Sequence, residues 1–171
     1  PCLLAALTTT GDLMTPAVNC VKKAKISYQI HSYQHDPGTQ SYGSEAADAL
    51  GVDPSRVFKT LLVSLDGNPK QLAVGVVPVS CSLDLKAMGA LLGCKKATMA
   101  DPQEAQRSSG YLLGGISPLG QKKQLPLILD RRARDLTTLY VSGGKRGLEI
   151  ELSPADLLRL SAGQYGEIGR G

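Results

Sequence analysis

From residue 26 onward Ile26, Tyr28 and Ile30 alternate with Ser27, Gln29 and His31, the period of a half-buried strand. Before it, the pattern predicts a helix over 16–23, with Thr15 as N-cap and Pro16 at the first helical position. HDPGTQSYG then reads as a loop. Ser44 caps a short helix through EAADAL that Gly51 ends, and Asp53-Pro54 opens a turn into the apolar run VFKTLLVSL. Asp66-Gly67-Asn68-Pro69 separates that run from QLAVGVVPV, so the two form an antiparallel hairpin. Pro78 marks where the second strand leaves its ladder.

In SLDLKAMGALLG the residues Leu85, Met88 and Leu92 recur at helical spacing, closed by Gly93. KKATMA is a short strand. Asp101 as N-cap, Pro102 behind it and Glu104 completing a capping box start a helix that stops at Gly110. LPLIL and TLYVS read as strands, and GGKRG turns the chain into LEIEL, where Leu148, Ile150 and Leu152 share one face and Glu149 and Glu151 the other. Ser153-Pro154 caps a last helix, ADLLRL, before a Gly-rich tail. Together these elements predict one α/β domain over 14–171, a mixed, mainly antiparallel β-sheet flanked by helices. Residues 1–13, ahead of the start-like Met14-Thr15-Pro16-Ala17, read as a leader or cloning remnant unrelated to function.

Composition narrows the function classes. The chain has 171 residues, 42% of them hydrophobic, enough for one sizeable core. A formal charge of +4 favours an anionic partner. Aromatics at 4% and no tryptophan argue against broad stacking platforms for single-stranded nucleic acid, so RNA contact is expected to be local and through phosphates. Cys2, Cys20, Cys81 and Cys94 form no CxxC pair, and no secretory signal precedes them, which predicts reduced thiols in a cytoplasm. The apolar patch over 3–7 is too short to span a bilayer.

Three places carry candidate chemistry. Lys59 shares a strand face with Val57, Leu61 and Val63 while Phe58, Thr60 and Leu62 fill the other, so it must snorkel, lose its charge or meet an anion. YLLGGISPLGQKK and SGGKRG each gather glycines beside hydroxyls and cations, which makes them either tight turns or cradles of amide donors. Neither is a Walker A loop, because GISPLGQK lacks the Lys-Ser/Thr ending, and no GxGxxG occurs. His31 and His35 would lie ~13 Å apart in extended chain and could not share one zinc ion. With no HExxH or GxSxG motif, no metal site, cofactor or nucleophilic serine is expected, and Cys20, Cys81 and Cys94 read as small buried hydrophobes.

MTPAV, ISYQIHSYQHDP, VFKTLLV, MADPQEAQRSSGYLLGGISPLGQKK and YVSGGKRGLEIEL, in that order and spacing, closely resemble the bacterial YbaK family of Cys-tRNA(Pro) deacylases, from Met14 to about Leu160. The resemblance implies the curved-sheet fold of the editing domain of bacterial prolyl-tRNA synthetase, and clearance of cysteine mischarged on tRNA(Pro). It makes Lys59 the key lysine with Thr60 beside it, Gly114, Gly115, Ile116, Ser117, Pro118 and Gly120 the substrate loop, and Ser142 the serine of a second loop. Tyr33 and Tyr42 fall where the family places aromatic residues near the terminal nucleotide, and Glu149 stands where an aspartate is common. The amides over 114–117 would hold the aminoacyl ester, Lys59 would position it, and the substrate cysteine would attack its own ester. The implied partners are mischarged tRNA(Pro) and prolyl-tRNA synthetase, with no DNA and no membrane. Two rivals are an Ala-tRNA(Pro) deacylase of the same fold and a non-catalytic RNA- or nucleotide-binding module using the loops for phosphates.

Overall fold

Asp66 and Gly67 both take positive φ, 53° and 73°, the backbone of a two-residue hairpin turn that matches strand twist. The turn joins β2 (Phe58–Leu65) to β3 (Asn68–Pro78), paired antiparallel with Lys59 opposite Val77. The computed structural model describes residues 14–36, 38 and 42–171. The expected leader over 1–13 lies outside these, as do Cys2 and the side chain of Tyr42.

The predicted helices form: α1 (Pro16–Ala24) behind its expected cap Thr15, α3 (Leu85–Leu92) closed as expected by Gly93 and started by Asp84, a cap the sequence reading did not name, α4 (Pro102–Ser109) between Asp101 and Gly110, and α5 (Pro154–Ser161) behind Ser153. Two local expectations change. Helix α2 (Tyr42–Leu50) begins ahead of Ser44, so Ser44 lies within it rather than capping it. Glu104 does not close a capping box, because Arg107 draws its carboxylate away at 2.9 Å.

The strands divide among sheets. β2 and β3 belong to a five-stranded sheet in the order β5 (Ala97–Met99), β2, β3, β6 (Leu127–Asp130), β9 (Gln164–Gly166). β1 (Tyr28–Ser32), β8 (Leu148–Leu152) and β7 (Leu139–Ser142) make an antiparallel sheet of three. β4 (Ser82–Leu83) pairs with β10 (Gly169–Arg170), and a parallel bridge from Val57 to Tyr140 joins the two larger sheets. Antiparallel pairing dominates, as expected, while β3–β6 and β6–β9 are parallel. The Gly-rich tail is no tail: it supplies β9 and β10, with Ile168 fully buried between them. Nothing in its short polar run carries a strand period, and pairing partners far away in sequence decide it.

Alternation places the core. Leu72, Val74 and Val76 face one side of β3, where they pack with α1, α5 and the apolar face of β8 (Leu148, Ile150, Leu152). Ala73 and Val77 face the other side with Met88 of α3 and Ile168. The polar face of the three-stranded sheet turns instead toward α2, where Tyr140 packs with Ala46, Ala47 and Val57. No helix among the described residues is long and apolar enough to cross a membrane.

Candidate active site

β5 pairs with β2 only over 63–65, so the first half of β2 keeps an open edge. Along that edge lies a cleft of about 470 Å³. Its floor is the strand carrying Lys59 and Thr60, its walls are Gly114 and Ile116 of the first glycine segment and Ser142 and Glu149 of the β7–β8 pair, and Tyr33 and Ser44 stand at its rim. Half-buried Lys59 thus neither fills the core nor sits in bulk solvent.

The two glycine segments meet because the first has bare backbone where the main chain of Lys145 crosses it. A Cβ on Gly115 would stand 2.7 Å from Lys145 Cα, and the Ser142 hydroxyl donates to the Gly115 carbonyl at 3.1 Å while accepting the Gly144 amide at 3.1 Å. Gly115 is therefore a crossing point. Its amide donates to Leu112 O at 3.0 Å and is spent within the protein, whereas the amides of Gly114 and Ile116 meet no acceptor among the described residues. Gly114 has φ 87°, a conformation that suits glycine. Gly147, at φ 89°, lets Tyr33 approach: Tyr33 donates its amide to Gly147 O at 2.9 Å, and a Cβ at 147 would lie 2.7 Å from Tyr33 O. Arg146 closes the second segment over α2 by pairing with Glu45 at 3.3 Å.

The latter half of the first segment faces elsewhere. Ser117 is fully buried and its hydroxyl accepts the Leu119 amide at 3.2 Å. Pro118 and Gly120 line a separate depression beside Cys20 of α1, and a Cβ on Gly120 would strike Pro16 O at 2.5 Å. The run that reads as one glycine-rich loop is thus a cradle over 113–116 and a packing turn over 117–120. Of the residues singled out from sequence, Tyr33, Lys59, Thr60, Gly114, Ile116, Ser142 and Glu149 meet at the cleft, Gly115 supports it, and Ser117, Pro118 and Gly120 stand behind it. Sequence reading missed Ser44, Val57, Phe58, Leu61, Val79 and Leu113 of the lining. Only Leu113, 48% exposed beside a glycine, left a signal.

Two polar atoms in this lining are buried without a hydrogen-bond partner in the protein, Thr60 Oγ1 and Glu149 Oε2. Burial pushes the Glu149 carboxyl up to about 8, so it is largely protonated at neutral pH. Burial, and then the neighbouring Glu149, also raise the Tyr33 phenol above its ordinary value. Orphaned polar atoms at the wall of a cleft mark places where a ligand completes the bonding. Among the described residues, no histidine or cysteine lines the cleft: His31 pairs with Glu151 at 2.9 Å, while Cys20, Cys81 and Cys94 are free thiols elsewhere.

The aminoacyl-tRNA editing domain model matches residues 36–160. EbsC of Enterococcus faecalis, assigned as a Cys-tRNA(Pro)/Cys-tRNA(Cys) deacylase, is 37% identical over 154 residues, 90% of this chain and 92% of its own. A proline–tRNA ligase of Acidithiobacillus ferrooxidans is 32% identical over 97 residues, 57% of this chain but 16% of the ligase. A crystal structure assigned as a trans-editing enzyme for prolyl tRNA synthetase superposes with a TM-score of 0.77 at 21% identity, over 92% of this chain and 99% of that one, a likeness of fold. With a matched span that carries the strand lysine, both glycine segments and both glutamates of β8, this chain belongs to the aminoacyl-tRNA editing domain family.

Proposed function

We propose that this protein is an aminoacyl-tRNA deacylase that removes cysteine mischarged on tRNA(Pro), working in the cytoplasm in trans to prolyl-tRNA synthetase. The observation that carries the reading is a cleft with a cation on its floor, amides on its wall that donate to no acceptor among the described residues, and no histidine or cysteine among its described lining to act as base or nucleophile. Such a site orients an ester and stabilises developing charge without attacking it. Lys59 holds a phosphate or ribose oxygen of the terminal adenosine, and the amides of Gly114 and Ile116 receive the ester carbonyl oxygen as it becomes an oxyanion. Thr60, Tyr33 and neutral Glu149 enclose the aminoacyl group. Ser142 fixes the crossing of the two glycine segments, and the turn over 117–120 anchors the cradle to α1.

The nucleophile comes from the substrate. A thiol with a pKa of about 8.5 supplies a few per cent thiolate at neutral pH. The cysteine sulfur bonds to its own carbonyl carbon, the bond from that carbon to the ribose oxygen breaks, and the ribose oxygen takes up a proton. The amino acid leaves as a cyclic thiolactone. The relatives support the substrate class, since EbsC is assigned to cysteinyl-tRNA and the ligases are prolyl enzymes.

The test is release of amino acid from tRNA(Pro) charged with cysteine, alanine or S-methylcysteine. Rapid release of cysteine alone is expected. Comparable loss of S-methylcysteine would transfer the nucleophile's role to water, faster loss of alanine would make this an alanyl editor, and no release would leave a binding module.

A further inference from the structure

A second groove, of about 400 Å³, is walled by Lys70 of β3, by Glu104, Arg107 and Ser108 of α4, and by Lys122 and Lys123. Four of those side chains are cationic and one is a carboxylate, in a chain whose formal net charge is +4. The carboxylate is already held by Arg107 at 2.9 Å. No ion pair among the described residues engages Lys70, Lys122 or Lys123. Ser108 adds a buried hydroxyl oxygen with no hydrogen-bond partner in the protein.

The end of α4 would ordinarily repel an anion, because its last carbonyls are unsatisfied and the dipole is negative there. Here the Ser109 and Ser108 carbonyls accept the amides of Lys122 at 2.9 Å and Lys123 at 3.1 Å. The same bonds seat both lysines over the helix end. Gly110 leaves them room, since a Cβ there would lie 3.3 Å from Lys122 Cβ.

The groove and the cleft are connected. Residues 102–123 supply a wall of each, and Gln106 Oε1 ties the two by accepting the Leu113 amide at 2.9 Å. Lys59 stands opposite Val77, and Lys70 lies seven residues before Val77 on the same strand, an offset of ~23 Å along the strand at about 3.3 Å per residue. A few nucleotides of unpaired RNA cover that distance.

We propose that this groove binds the phosphate backbone of the tRNA acceptor stem while the unpaired 3′ end reaches into the cleft, an inference that rests on the deacylase reading above. Lysines and a hydroxyl hold phosphates and do not read bases, so the groove supplies affinity and orientation without selecting among tRNAs.

The experiment measures binding of an uncharged RNA hairpin with an unpaired ACCA tail, by fluorescence anisotropy across a potassium chloride series. Each phosphate contact contributes about 0.7–0.9 to the log-log salt slope. Lys122→Glu with Lys123→Glu is therefore expected to flatten the slope by about 1.4–1.8, and Lys70→Glu by about half as much. Lys86→Glu, on α3 across the five-stranded sheet, should leave it unchanged. An equal effect from Lys86→Glu, an unaltered slope in the groove variants, or no binding by the parent would each overturn the proposal. In parallel, every variant should cleave a cysteinyl ester of adenosine, which has no stem, at the parent rate. If the parent fails to cleave that ester or Cys-tRNA(Pro), the deacylase reading falls while the salt series still decides the groove.

Discussion

Glu149 and Glu151 stand two residues apart on one face of β8, and the fold treats them in opposite ways. Glu151 accepts from Thr138 at 2.5 Å, pairs with His31 at 2.9 Å and lies 3.5 Å from Arg56. Burial alone would raise its pKa, but the hydrogen bonds from Thr138 and His31 outweigh it and hold the carboxyl below its ordinary value. Glu149 has the same strand, the same face and no partner for Oε2, and burial pushes it up to about 8. Arg56 does not reach the cleft end, and Lys59, the cation that lines it, makes no ion pair with Glu149. The sheet thus has a closed end that stabilises and an open end that holds uncompensated polar groups ready for a ligand, the usual division between structural and functional surface.

The largest effect expected of any change to this pair is on pH-dependent stability at the open end. The unfolded chain releases the Glu149 proton near its ordinary 4.5, whereas the folded protein holds it until about 8. Stability from this group is therefore full at acid pH and is lost as pH rises through that window. Over the whole window the loss is roughly 5 kcal/mol, at 1.36 kcal/mol for each pH unit. Glu149→Gln, which keeps the shape and cannot ionise, should unfold at higher denaturant than the parent at pH 9 and lose that part of the pH dependence. Parallel curves for parent and variant between pH 5 and 9 would mean that Glu149 is compensated in solution, and the contrast with Glu151 would vanish.

Next in size is the catalytic cost of the cation on the floor. Lys59→Ala should lower deacylation of Cys-tRNA(Pro) about a hundredfold, near 2.7 kcal/mol, with little change in thermal melting. The side chain makes no ion pair that the fold needs. A variant that melts as the parent does and cleaves at its rate would return Lys59 to a snorkelling role.

The smallest effect belongs to the closed end. Glu151→Gln should cost about 1 kcal/mol at pH 7, because its partners are partly exposed and solvent screens them. Its pH dependence has the opposite sign to that of Glu149: the contribution is present above the ordinary carboxylate range and is lost as pH falls through the lowered native value. Urea titrations of both variants at pH 4, 7 and 9 would display the two slopes side by side. A deacylation defect in Glu151→Gln beyond its stability loss would show that the closed end also serves the cleft.

Local elements and the short list of chemistry are readable along the chain. Thr15, Asp101 and Ser153 cap the helices they announce, Asp66-Gly67 turns the hairpin, and alternation puts Leu148, Ile150 and Leu152 inward. These are contacts within a few residues, which the chain encodes directly. The lysine in VFKTLLV and the glycine clusters were legible for the same reason, since each breaks its local pattern. Packing between distant segments sets what those features do. It split GGISPLG into a cradle and a turn because Lys145 crosses at Gly115 while α1 presses on Gly120. It made strands of the tail because β6 and β4 offered free edges. It separated Glu149 from Glu151 because His31 and Arg56 reach one end of a strand face, while no ion pair among the described residues engages the other. Distances between residues far apart in sequence set all three outcomes, and no period or cap along the chain records them.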